Sequence, residues 1–165
     1  VRNAINPVKA YTVVKLMEGV TQSGSGARLR TKGADGYNNI YKNVITGYPY
    51  AFKNPIAGKT GTTQKQSDGW FMGMVPNLVT GVWVGGEDRS VHFKGIQLGQ
   101  GATMALPIWG YYMKKIYENK DLEVSTAPLP IPKDKDGASM ISSSDLDCKG
   151  NDHVETIGDD SEINF

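Results

Sequence analysis

Lys59, Thr60, Thr62 and Thr63 crowd into one run, IAGKTGTTQKQSDGWF at residues 56–71, and carry the groups in it best suited to meet a ligand. Ile56 and Ala57 open the run as an apolar, strand-like start, the threonines are β-compatible, and Trp70 and Phe71 begin another strand after a polar turn. This places Lys59, Thr60 and Gly61 on a strand edge. Gly58 and Gly61 flank the lysine, and glycine weakens a strand unless something must approach its backbone, so close contact with a substrate is the expected reason for both. Gly58-Lys59-Thr60 also imitates the end of a phosphate-binding P-loop. The spacing excludes it: the position a P-loop reserves for its first glycine holds Lys53, and Pro55 sits within the loop.

Lys-Thr-Gly is also one of three boxes of the penicillin-recognising serine acyltransferases, beside a Ser-x-x-Lys and a Ser-x-Asn box. By itself it is a weak signal, and its surroundings make it specific. Lys59-Thr60-Gly61-Thr62-Thr63, Asp68-Gly69-Trp70-Phe71, Pro76, Gly81-Val82-Trp83-Val84-Gly85 and Ala105-Leu106-Pro107-Ile108-Trp109 occur in a familiar order and spacing. From about Asn6 to Tyr117 the chain resembles the C-terminal part of the transpeptidase domain of class A penicillin-binding proteins. The double threonine after the glycine is more similar to class A than to class B proteins or β-lactamases.

Acyl transfer from a D-alanyl-D-alanine peptide needs an activated hydroxyl, a base, and donors aimed at the developing oxyanion. The resemblance implies that Lys59 sets a positive charge near the substrate carboxylate, that the Thr60 and Thr62 hydroxyls bind it, and that the Thr62 N–H is one oxyanion donor. Gly61 would let the peptide lie against the strand, with Thr63 as a further contact, while Asp68 and Trp70 support the hairpin. No serine in the sequence is followed three residues later by lysine. Ser67-Asp68-Gly69 lacks the asparagine of the Ser-x-Asn box and follows the Lys-Thr-Gly run instead of preceding it. The expectation is that the chain begins mid-protein and that nucleophile and base lie upstream, in a missing half of the same domain.

The elements that position these residues are legible in the periodicity. Asn6-Pro7 reads as an N-cap and first-turn proline of a buried helix carrying Ala10, Val13, Val14, Met17 and Val20. Ser23-Gly24-Ser25-Gly26 ends it as a flexible connection, and the tyrosine-rich basic segment 28–53 is read as rings covering a hydrophobic edge in a long loop. Residues 70–75 and 78–84, joined at Pro76-Asn77, read as antiparallel strands and make a three-stranded meander with the Lys-Thr-Gly strand. Met104, Ile108, Tyr111, Tyr112 and Ile116 mark a covering helix with Pro107 in its first turns. These elements read as a mixed α/β fold of the α+β type, and the resemblance implies a partial transpeptidase fold of the penicillin-binding protein and β-lactamase kind. Its remaining strands, from upstream sequence, would pair beside residues 78–84, so that edge is expected to be covered by the tail or by another chain.

Residues 1–118 are read as the domain portion and 119–165 as a polar, acidic tail that buries little and tends to disorder. Asp134-Lys135-Asp136-Gly137 lacks the ligand positions of a calcium loop. A net charge of +1 gives no electrostatic footprint for nucleic acid. One cysteine, Cys148, and two distant histidines, His92 and His153, predict neither an internal disulfide nor a metal, and no cofactor is expected. No apolar run is long enough to span a membrane. The resemblance implies a serine-type D,D-transpeptidase that cross-links peptidoglycan stem peptides, binds β-lactam antibiotics, and works outside the cytoplasmic membrane, its parent anchored there and carrying a glycosyltransferase domain. A D,D-carboxypeptidase, a β-lactamase-like hydrolase, or a non-catalytic cell-envelope binding module are the alternatives.

Overall fold

The computed structural model describes residues 5–30, 50–142 and Leu146. Helix α1 (Pro7–Gln22) starts where expected, with the Asn6 side chain accepting from the Val8 N–H at 2.9 Å and proline in the first turn. Three antiparallel strands follow, β1 (Ala57–Thr62), β2 (Asp68–Val75) and β3 (Leu78–Gly85), in the order β1-β2-β3. Short helices α2 (Ile96–Gly99) and α3 (Gly101–Met104) lead into α4 (Leu106–Glu118). The meander and the mixed α/β class match the expectation.

Side chains alternate across a strand, so one face of the sheet carries Phe71, Val75 and the glycines Gly69 and Gly73, and α4 closes on it. Trp109 is the centre of this core: fully buried, its ring meets Phe71 edge-on at 5.0 Å and its indole N–H donates to Thr80 Oγ1 at 2.7 Å. A Cβ on Gly73 would stand 2.3 Å from the Trp109 ring, which is why that strand position has no side chain. Burying one such ring contributes about 1.5–3 kcal/mol by area.

Several expectations are corrected here. The buried stripe of α4 is Leu106, Trp109, Gly110, Met113 and Ile116, while Ile108, Tyr111 and Tyr112 are exposed, because Trp109 and not Ile108 points at the sheet. Helix α1 is buried on one side only, at Glu18 and Thr21, with Val13 and Leu16 exposed. The Ser/Gly connector is a closed turn: Gly24 and Gly26 N–H groups donate to Gly19 and Val20 carbonyls, and a Cβ at Gly24 would meet the Val20 backbone at 2.9 Å. Of the basic tyrosine segment, Tyr50 covers the core beside Phe52 and Tyr111; Tyr37, Tyr41 and Tyr48 lie outside the described residues.

The described tail is built rather than loose. Asn77 accepts from the Ser125 N–H and donates to the Glu123 carbonyl, and Lys133 bridges Ser139 across a turn. The Asp134 carboxylate in that turn accepts from the Asp136 and Ala138 backbone N–H groups. Leu129, Pro130 and Pro132 share a cavity with Val79 and α1, so the tail covers only the turn end of β3. Of the expected cover the described tail supplies that end alone: beyond it no ladder partner borders β3 among the described residues, because the proline-rich segment leaves the sheet at the turn and supplies no strand there.

Candidate functional site

Thr63 N–H donates to the Asp68 carbonyl at 3.0 Å, one step beyond the paired residues Thr62 and Gly69. In an antiparallel ladder, hydrogen-bonded and non-hydrogen-bonded pairs alternate, so Gly61 and Lys59 turn their backbone groups to β2. The N–H and C=O of Thr60 and Thr62 therefore point to the open side of β1. No backbone hydrogen bond outside the sheet occupies them among the described residues.

Side chains follow the other alternation. Lys59 and Gly61 lie on the sheet face shared with Trp70 and Met72, and Thr60 and Thr62 on the opposite face. The Lys59 ammonium is exposed and donates to the Thr60 carbonyl at 2.9 Å. Thr60 Oγ1 and Ser25 Oγ share a hydrogen bond of 2.6 Å, which joins the connector after α1 to the strand. Thr62 Oγ1 accepts from the Gly101 N–H at 2.9 Å at the start of α3. Since that contact uses an oxygen lone pair, the Thr62 hydroxyl proton is left to donate elsewhere.

Both partners are held from behind. Buried Arg28 donates to the Ala102 carbonyl at 3.1 Å and to Thr103 Oγ1 at 2.9 Å, tying the connector to α3. Arg30 reaches the Thr21 and Phe52 carbonyls and Thr21 Oγ1, bracing α1 against the segment entering β1; burial lowers its guanidinium from the ordinary value, against the opposing charge of Glu18. Gly101 must be glycine, since a Cβ would come within 2.2 Å of the Gly61 carbonyl oxygen.

The expected reason for Gly58 is corrected: a Cβ there would meet the Phe71 ring at 2.7 Å and the Met72 carbonyl at 2.9 Å, so core packing, not a substrate, requires it. Thr63 Oγ1 is committed to the turn, accepting from the Asp68 N–H at 2.8 Å and contacting Ser67 Oγ and Asp68 Oδ2. Partial desolvation would raise the Asp68 carboxyl, but donors from Ser67, Thr63 and the Trp83 indole, with the Arg89 charge, hold it below the usual carboxylate range. Sequence reasoning missed Ser25 and Gly101, whose only signal was glycine spacing.

No group of three or more metal-ligating side chains lies together among the described residues, and no helix there is long and apolar enough to cross a membrane. No protein-family model matches the chain. Among curated proteins it is similar to penicillin-binding protein 1A of Neisseria flavescens, 32% identical over 126 residues, which is 76% of this chain and 13% of the relative. Penicillin-binding protein 1A of Aquifex aeolicus is 42% identical over 48% of the chain and 11% of its own length. That of Neisseria meningitidis is 31% identical over 71% of the chain and 12% of the relative. The chain thus spans about an eighth of the length of these relatives. With the strand order and the Lys-Thr-Gly edge described above, this similarity makes the chain a member of the class A penicillin-binding protein family.

Proposed function

We propose that β1 is the substrate strand of a serine-type D,D-transpeptidase that cross-links peptidoglycan stem peptides, and that residues 1–118 form the C-terminal portion of its transpeptidase domain. The observation that supports this most is the pair of outward backbone groups at Thr60 and Thr62 on an edge whose hydroxyls are held by Ser25 and Gly101. A peptide ending in D-alanyl-D-alanine adds to this edge as an extra strand, main chain to main chain. Its terminal carboxylate is received by the Thr60 and Thr62 hydroxyls beside the Lys59 ammonium. The Thr62 N–H donates to the oxygen of the penultimate carbonyl as it becomes an oxyanion.

The attacking serine and its lysine base come from sequence outside these 165 residues, where Ser-x-x-Lys is absent. Attack forms the acyl-enzyme and expels the terminal D-alanine, and an acceptor amine takes the acyl group. A β-lactam, with its carboxylate and strained carbonyl, enters the same site. Residues 119–165 are an appended tail, and the whole protein works outside the cytoplasmic membrane, anchored to it.

Lys59→Ala in the full-length protein is expected to slow acylation by penicillin about 10²–10³-fold, the scale of removing one oxyanion-hole donor. Stopped-flow acylation at the wild-type rate would make Lys59 an ordinary solvated edge lysine.

A further inference from the structure

The Thr60 and Thr62 hydroxyls are held by different elements, yet both holds trace back to one short piece of chain, residues 25–28. Ser25 Oγ meets Thr60 Oγ1 directly at 2.6 Å. Three residues on, Arg28 donates to the Ala102 carbonyl and to Thr103 Oγ1, and the Gly101 N–H that holds Thr62 Oγ1 belongs to the residue just before.

Helix α3 does not fix that N–H by itself. It has four residues and no side chain caps its start, and a helix this short is not self-sustaining, so its place is decided by what it packs on. On the sheet side the fit is close: a Cβ on Gly69 would stand 3.2 Å from the Gly101 Cα and 2.4 Å from Met104 Cε. Arg28 supplies a polar hold, with two consecutive residues of α3 as its acceptors. Thr103 Oγ1 extends it by donating to the Gln97 carbonyl at 3.2 Å, which ties in α2. Ala102 is buried, so its carbonyl keeps this charged donor only while α3 stays where it is. Arg28 is 5% exposed and its base is fixed: Leu29 beside it is fully buried, and the Leu29 and Arg30 N–H groups close a turn on the Gly26 and Ala27 carbonyls.

We propose that Arg28 is a positioning residue for the substrate carboxylate. Through α3 it sets the Gly101 N–H, and through that N–H the direction in which the Thr62 hydroxyl donates. Residues 25–28 thus fix both hydroxyls, Thr60 directly and Thr62 at one remove, at the spacing the carboxylate meets. The proposal rests on the reading of β1 as the substrate strand.

The test compares penicillin with its methyl ester, which keeps the reactive carbonyl and lacks the anionic carboxylate, as acylating agents of the full-length protein. Each variant is read as the ratio of the two second-order acylation rate constants, since loss of folded protein lowers both alike and leaves the ratio unmoved. Arg28→Gln should lower the preference for penicillin about ten-fold, the scale of one hydrogen bond to a charged group, and Arg28→Lys should restore part of it. Thr62→Val should lower it as well. Adding Arg28→Gln to Thr62→Val should lower it no further, because the group that Arg28 positions is then gone. Thr103→Val removes one Arg28 acceptor and no charge, and should move the ratio the same way by a smaller factor; if Arg28→Gln does not fold, this variant decides. An unchanged ratio, or a fall that persists in full in the Thr62→Val background, would make Arg28 a packing residue and overturn the proposal. If Thr62→Val itself leaves the ratio unchanged, the substrate-strand reading fails and takes this proposal with it, whereas a loss at Thr62 without one at Arg28 overturns this proposal alone.

Discussion

Among the described residues the sheet has two edges with no further strand, and they are unlike. At β1 the outward backbone groups belong to Thr60 and Thr62, and each neighbouring hydroxyl is fixed by another element, Ser25 from the connector and the Gly101 N–H from α3. At β3 the register continues the alternation, so the outward groups belong to Val79, Gly81 and Trp83. There Val79 and Trp83 are 63% and 49% exposed, and the described part of the tail caps only the turn end. A polar edge with its side chains braced in advance has met part of the ordering cost of binding in the fold, as the proposed substrate strand requires. An apolar edge without partners is arranged to be covered by protein.

The sharpest way to abolish the contrast is to remove what both edges share. Trp109→Ala should cost about 3–5 kcal/mol, as for large aromatic deletions in a core, and urea unfolding should show both edges losing protection together. Retention of β1 protection in hydrogen exchange with loss at β3 would show instead that the edges are supported separately.

Smaller changes should act on one edge alone. Ser25→Ala removes the partner of Thr60 and should cost about 1 kcal/mol, whereas Val79→Thr at the exposed end of β3 should stay within about 0.5 kcal/mol. Equal costs at the two positions, measured by urea midpoints, would remove the case for a braced β1.

The smallest effect is at the hairpin joint. The folded-state Asp68 carboxyl titrates below its unfolded value, so its contribution is complete above the ordinary carboxylate value near ~3.9 and is lost as pH falls through the lower folded one. Asp68→Asn should therefore narrow the stability difference from wild type on acidification from pH 7 towards pH ~2. A difference that stays constant over that range would detach Asp68 from the hairpin.

What could be read from the sequence divides along the same line. The strands, their two-residue turn, the Asn6 cap and the placement of Lys59 on an edge were legible because local alternation and capping chemistry determine them. Ser25 was not: its hydroxyl meets Thr60 across 35 positions, and a Ser/Gly run looks flexible until its neighbours close it. The face of α4 was misread because Ile108 is as apolar as Leu106 and Met113 and Tyr111 offers a large ring, and only the glycine gap at Gly73 selects Trp109 as the residue that enters the sheet. Gly58 was assigned to a ligand for the same reason, since the ring of Phe71 that it accommodates is contributed by the next strand.

The central claim is that the outward Thr62 N–H serves the reaction while contributing nothing to the ladder. Thr62→Pro removes that N–H, and an edge strand tolerates proline where the N–H faces away from its partner; Thr62→Val removes only the hydroxyl. Acylation of the full-length protein by penicillin should fall about 10²–10³-fold further in Thr62→Pro than in Thr62→Val, with both variants keeping the wild-type melting temperature within a few degrees. Equal acylation rates in the two variants would contradict the account.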